Sequence, residues 1–152
     1  MNSQPDSAEQ LPDLSGLVFR AVRAEHEMDA VLECRWKGYR RYGFPNPAAC
    51  RDDYDAHAIQ YVCEDERTKR IVGCLRLLPA QHRPFELEEY FDISGWANNG
   101  TRPAELTRFS VPVSKRLSAI KFGFVETSMA RHGCGRTRAF RHLDDRSQKA
   151  NV

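Results

Sequence analysis

No apolar run in this chain of 152 residues approaches the roughly 20 that a membrane-spanning helix needs, which excludes a helical membrane protein. Cysteine is scarce and scattered: Cys34, Cys50, Cys63, Cys74 and Cys134 make an odd set with no C-x-x-C pair, so neither a zinc ribbon nor a disulfide framework is expected. Met1 to Ser15 is polar and acidic, without the apolar core of a secretory signal. Reduced, buried thiols in a cytoplasmic protein are the expectation that fits both observations. No internal repeat, low-complexity tract or domain linker interrupts the chain, whose length suits one domain with a core of its own. A strong charge of one sign is also missing, since 23 basic against 21 acidic residues leave +2. From Arg131 onward, however, six basic residues face Asp144 and Asp145, a difference of +4, so the preceding part sums to 2 − 4 = −2. Such an end has the charge to touch nucleic acid or an acidic protein. With no helix-turn-helix and no aromatic-basic platform beside it, a loose, solvated terminus is preferred over nucleic-acid binding. The expected organisation is a disordered leader over 1–16, a folded domain over 17–131 and a disordered basic tail over 132–152.

What is present is an alternation of strand and helix patterns. Leu17 to Val22 alternates like a first strand. From Glu25 to Tyr42 the set Met28, Val31, Leu32, Arg35/Trp36, Tyr39 and Tyr42 recurs at three and four, and Gly43 and Pro45 end a helix. The aromatics Trp36, Tyr39 and Tyr42 are read as core. After a loop comes Asp52-Asp53-Tyr54-Asp55, either a turn and capping cluster or a carboxylate group that holds a cation or steers an arginine. Ala58 to Cys63 and Ile71 to Leu78 read as strands, the second apolar on both faces and therefore central. Arg76 interrupts it. A guanidinium there either pairs with a carboxylate, Asp52, Asp55 or Glu105, or snorkels to the end of the sheet. Pro84 to Gly95 reads as a short helix, and Val113 to Arg131 as a helix interrupted at Gly123.

The stretch that organises the rest is Glu105-Leu106-Thr107-Arg108-Phe109-Ser110-Val111-Pro112, a short strand stopped by proline. Strict alternation puts Glu105 and Arg108 on opposite faces, because their offset is odd. One extra residue near Leu106 or Thr107, a β-bulge, brings them to one side; the other reading is an edge strand with two solvated charges.

Asp52-x-x-Asp55, then Gly73-x-x-Arg76-Leu77-Leu78-Pro79, Phe91 and Glu105-x-x-Arg108-Phe109, in that order, resemble the autoinducer (acyl-homoserine-lactone) synthases and their relatives. Those relatives are the bacterial N-acyl amino acid synthases and the exosortase-associated acyltransferases, within the GNAT-like N-acyltransferase superfamily. The resemblance spans roughly Val18 to Arg116. It implies an α/β fold around a mixed, mostly antiparallel sheet flanked by helices, with the donor's phosphopantetheine arm lying where two central strands splay. It also implies an N-acyltransferase that moves a fatty acyl group from acyl carrier protein or acyl-CoA to the amine of an amino acid or a related acceptor. Glu105 and Arg108 match the catalytic positions, and Arg76, Asp52, Asp55, Phe91 and Trp36 the acceptor side. Arg35 and Trp36 fall near the family's N-terminal arginine and tryptophan. Amine attack on a thioester needs a group to take the amine's proton, and Glu105 is the candidate base. Backbone N–H groups at a strand irregularity can hold the oxyanion. No metal and no resident cofactor are expected.

Two departures from the resemblance shape the expectations. Arg116 to Lys121 lacks the glycine pair of a phosphate-cradling loop, which points to a carrier-protein donor. Nor does the sequence after Arg131 supply a strand-like run, so the family's last strands are expected to be missing. The alternative is then a truncated, non-catalytic remnant that binds an acyl carrier or a partner protein. An unpartnered strand edge of that kind invites self-association.

Overall fold

The strand-like alternations form strands and the helical spacing after Glu25 forms a helix, and the order of the elements builds one sheet between two helices. The structure is a computed structural model and describes residues 12–97, 100, 102–112 and 116–132. Its strands are β1 (Leu17–Ala21), β2 (Ile59–Asp65), β3 (Ile71–Leu78) and β4 (Glu105–Ser110), in the sheet order β1-β2-β3-β4. Every pairing is antiparallel, so the described sheet has no parallel member. The helices are α1 (Met28–Tyr39), the single turn α2 (Ser94–Ala97) and α3 (Leu117–His132). No described helix is long and apolar enough to cross a membrane.

The period of two in the strands assigns each side chain to a face. On one face Val62 and Cys74 pack with Met28, Val31, Leu32 and Cys34 of α1. On the other, Tyr61, Cys63, Leu75 and Leu77 pack with Ile120 and Phe124 of α3. The apolar character of β3 on both sides follows from this central, doubly covered position. Cys34, Cys50, Cys63 and Cys74 are all buried and free, and burial pushes the Cys63 thiol up to about 12. Cys134 and the rest of the basic tail lie outside the described residues.

Four expectations need correction. Pro84 to Gly95 is not a helix but a 3-10 turn at Glu86–Glu89 followed by α2, because the segment buries only Phe85 while Leu87, Tyr90 and Phe91 stay exposed. Without an apolar stripe to pack, a continuous helix has nothing to stabilise it. Tyr42 is 66% exposed and belongs to the surface, since it falls in a 3-10 turn that has left the period of α1. Within the leader expected over 1–16, Arg116 donates to the carbonyls of Asp13 and Ser15, and Gly16 accepts from the Glu66 N–H. The bulge falls later in β4 than expected, at Arg108 and Phe109. Lastly, Gly123 does not interrupt α3, which runs unbroken past it.

Gly123 is instead the place where the helix meets Phe19. A Cβ at this position would stand 2.2–2.6 Å from three atoms of the Phe19 ring, and that ring is already held edge-on by Phe124 at 5.3 Å. Gly123→Ala gains about 1 kcal/mol of helix propensity but overpacks a seam for which the usual cost is about 1–3 kcal/mol. The expected result is a net loss, seen as a lower urea midpoint at unchanged slope, whereas an exposed helical glycine would gain stability.

Candidate active site

The bulge is legible in the register. Between the pairs Arg76↔Thr107 and Cys74↔Ser110, β3 advances two residues and β4 three. Arg108 absorbs the difference with φ +52, a left-handed conformation that a non-glycine residue adopts at a cost of about 1–3 kcal/mol. Thr107 and Arg108 thereby point to the same face as Glu105, the face covered by α1. Displacement of the bulge by a residue or two from Leu106/Thr107 leaves its consequence intact: Glu105 and Arg108 share a side.

Under them lies a floor of buried charge. Arg35, on the apolar stripe of α1, makes a bidentate pair with Asp55, both bonds 2.8 Å, and donates to Gln60 Oε1 at 2.7 Å and the Cys50 carbonyl at 3.2 Å. Gln60 returns a hydrogen bond to Asp55 at 2.9 Å. Arg76 is fully buried and all its nitrogens are engaged: Nε with Thr107 at 2.9 Å, Nη1 with Asp52 and Asp55, and Nη2 with Glu86 at 2.6 Å. Its guanidinium stands 5.4 Å from the Tyr54 ring centroid, within cation–π range. Arg76 is thus paired rather than snorkelling, but Glu86 stands where Glu105 was one of the expected partners.

Asp52 and Asp55 unite the two readings of the acidic cluster. They cap the 3-10 turn Asp53–Ala56, with Asp52 accepting the Tyr54 N–H and Asp55 the Asp52 N–H, and the same carboxylates hold the arginines. Burial alone would raise the pKa of Asp55, but the Arg35 guanidinium, helped by the Asp52 N–H and the Arg76 charge, outweighs it and holds the carboxyl at about 2. Three arginines (Arg35, Arg76, Arg108) balance three carboxylates (Asp52, Asp55, Glu86). The neutral network grades from a sealed floor to a wet mouth, with side-chain exposure of 0% at Arg76 and Asp55 and 25–29% at Asp52, Glu86 and Arg108.

Arg108 is the member with capacity to spare. Among the described residues its Nη2 engages Asp52 and, at 3.0 Å, Glu86, leaving Nε and Nη1 uncommitted at a partly exposed position. These partners, set against the cost of burial, raise its affinity for its proton and keep it cationic. Glu105 accepts two backbone N–H groups, from Glu86 at 3.0 Å and Leu87 at 2.8 Å, and so ties the turn after Pro84 to β4. Two expected site residues stand apart from this network. Phe91 is 63% exposed at the end of that turn, and Trp36 donates its Nε1 to the Phe44 carbonyl at 3.0 Å.

Along the outer edge of β4, between the end of α1 and the start of α3, runs a cleft of about 650 Å³. Lys37, Arg40, Arg41 and Lys121 line it, and among the described residues no carboxylate does. The two sides of the strand therefore differ: a cationic cleft at its edge, and a mouth on the α1 face where Asp52, Glu86 and Glu105 stand with Arg108.

Residues 34–122 match the model of the acetyltransferase (GNAT) domain, and the chain belongs to that family. Among solved structures it is similar to FeeM, an N-acyl amino acid synthase from uncultured soil microbes, with a TM-score of 0.58 at 17% identity. That match covers 75% of this chain and 65% of the synthase, so the chain spans a little under two thirds of the length of its structural relative. A GCN5-related N-acetyltransferase from Ralstonia eutropha JMP134 matches with a TM-score of 0.47 at 16% identity, over 87% of this chain and 91% of that one. No curated protein sequence is significantly similar to the chain.

Arg35, Gln60, Glu86 and Thr107 belong to the network although sequence reasoning did not select them as site residues. Arg35 carries a signal, a charge on the buried stripe Met28, Val31, Leu32, and so does Gln60, a polar side chain at a covered strand position. Glu86 carries none, since nothing in Glu86-Leu87-Glu88-Glu89 distinguishes the one carboxylate that turns inward.

Proposed function

We propose that this domain transfers an acyl group from a thioester, carried by acyl carrier protein or coenzyme A, to the amine of an amino acid or a related small acceptor. The observation that supports the reading best is the bulge at Arg108, which puts an acid and an arginine side by side above a neutralised floor while a cationic cleft follows the same strand. The cleft suits the phosphorylated arm of the donor, and Lys37, Arg40, Arg41 and Lys121 favour an anion there. On the α1 face, Arg108 has free donors for the acceptor's carboxylate, and Asp52, Glu86 and Glu105 attract its ammonium group. Arg76, Asp55 and Arg35 are buried beneath the mouth and fix the floor on which Asp52 and Arg108 stand.

In the reaction the bound ammonium first gives one proton to solvent, and the neutral amine then attacks the thioester carbonyl to form the tetrahedral oxyanion. Glu105, directly or through one water, takes the amine's proton as the C–N bond is made. Collapse breaks the C–S bond, the thiolate leaves and takes up a proton, and an N-acyl amide remains. Backbone N–H groups at the bulge are the donors available to the oxyanion, since this is where the ladder between β3 and β4 is broken.

The test is direct. The purified chain is incubated with acyl carrier protein or coenzyme A loaded with short and long acyl groups, together with a panel of amino acids, and the products are read by mass spectrometry. An N-acyl amino acid formed only with active chain supports the reading, and the two donors separate the carrier-protein route from the coenzyme route. Release of free thiol without any N-acyl product would refute transfer to an amine.

A further inference from the structure

Three successive carbonyls of the bulge are met by side chains. The Arg108 carbonyl accepts from Cys74 Sγ at 3.9 Å, the Phe109 carbonyl from Tyr39 Oη at 2.9 Å and the Ser110 carbonyl from Cys34 Sγ at 3.8 Å. Thiols are weak donors, so the hydroxyl of Tyr39 supplies the one strong bond of the three. It reaches the strand because Gly38 lies against Ser110: a Cβ there would stand 2.2 Å from Ser110 Oγ, which itself donates to the Cys34 carbonyl at 3.0 Å. The last turn of α1 therefore sits directly on the bulge.

Tyr39 and Phe109 line the cationic cleft on the side of β4 that β3 does not occupy. A strand edge ordinarily offers its outward carbonyls to a neighbouring strand. Here the Phe109 carbonyl is already satisfied by a side chain, and a side chain that fills the ladder position stops regular pairing at that point. Burial lifts the Tyr39 hydroxyl to about 12, so it remains a hydrogen-bond donor at neutral pH.

We propose that Tyr39 is a positioning residue: by capping the outward carbonyl of Phe109 it fixes the bulge and keeps the β4 edge from closing as a regular ladder, so that the cleft beside it stays open to an extended acyl-thioester arm. The kinetic consequence rests on the acyl-transfer reading given above; the structural one does not. A merely structural tyrosine would affect only stability. A positioning one acts on use of the donor and leaves the acceptor side, on the α1 face of the strand, unaltered.

The variant is Tyr39→Phe, which deletes the hydroxyl and keeps the ring. Two readouts are taken. With phenylalanine labelled at its carbonyl carbon, the Phe109 resonance should move upfield in the variant as its hydrogen bond is lost. In the wild-type chain itself the Tyr39 hydroxyl proton should exchange more slowly than that of Tyr42, which is 66% exposed. In turnover, kcat/KM for the acyl donor should fall about tenfold, the scale of one lost hydrogen bond, with KM for the amine unchanged. An unmoved Phe109 carbonyl together with a freely exchanging Tyr39 hydroxyl overturns the proposal, as does equal loss on donor and acceptor. If the wild-type chain transfers no acyl group, the functional reading falls, and the carbonyl and hydroxyl measurements still decide whether Tyr39 caps the bulge.

Discussion

Asp55→Asn is expected to destabilise the chain by about 3–5 kcal/mol, the range for breaking a buried ion pair by removing one partner. The reason lies in what the carboxylate serves. Asp55 accepts from Arg35 twice, from Arg76, from Gln60 and from the Asp52 N–H, and its side chain is completely buried. An amide has one acceptor oxygen, and its NH₂ group would face guanidinium donors. Two buried cations, Arg35 and Arg76, would then share Asp52 and Glu86, which are needed to hold Arg108. By comparison Asp52→Asn touches a side chain 27% exposed to water and should cost clearly less. Urea unfolding of both variants checks the order; equal losses would mean that the floor is not sealed as described.

The same residue sets an acid limit. The Asp55 carboxyl is held at about 2 in the folded chain against an ordinary 3.8, so its contribution is present above pH 3.8 and is lost as the pH falls toward 2. That difference corresponds to roughly 2–3 kcal/mol, of the same order as the cost foreseen for the amide. Between pH 4 and pH 2 the wild-type chain should therefore lose stability more steeply than Asp55→Asn, and the two curves should converge.

How much of this was legible in the sequence depended on whether a local rule decided the matter. The period of two in Leu17–Ala21 and the doubly apolar run Ile71–Leu78 located β1 and the central β3, because burial on one face or on both leaves a visible pattern. Arg76 announced itself as a charge inside such a run, to be met by a carboxylate or by snorkelling to the end of the sheet, and the structure shows the pairing. Its partner Glu86 was not legible, since which of several neighbouring glutamates turns inward is settled by the path of the chain from Phe85, a tertiary matter. The odd offset of Glu105 and Arg108 left two readings open, a bulge or an edge strand with solvated charges; the structure has the bulge, at a position the sequence did not indicate. That position depends on which residue tolerates φ +52 while Tyr39, Cys34 and Cys74 hold the carbonyls around it, and none of these contacts is local. The exposed positions of Tyr42 and Phe91 were misread, or left undecided, for a related reason: an aromatic in a turn has no period to report its side.

Glu105→Gln should lower kcat for N-acylation by about 10² or more while KM for the acyl donor changes little. In this structure Glu105 has two conceivable tasks, and the geometry separates their signatures. As a base it accepts the amine's proton during attack, a step an amide cannot perform, so the loss falls on kcat. As an anchor it holds the N–H groups of Glu86 and Leu87 at 3.0 and 2.8 Å, and through them the orientation of Glu86 toward Arg76 and Arg108. The glutamine retains one acceptor oxygen, so one of those two bonds survives, and the anchoring loss should be confined to about the 0.5–1.5 kcal/mol of a single hydrogen bond, seen in unfolding and in KM for the acceptor. A variant that keeps wild-type kcat but binds the amine more weakly would assign Glu105 to holding the turn and send the search for the base to another acid of the mouth. A variant that folds with nearly unchanged stability yet turns over a hundredfold more slowly would place the proton transfer at Glu105, on the bulged strand that also carries Arg108.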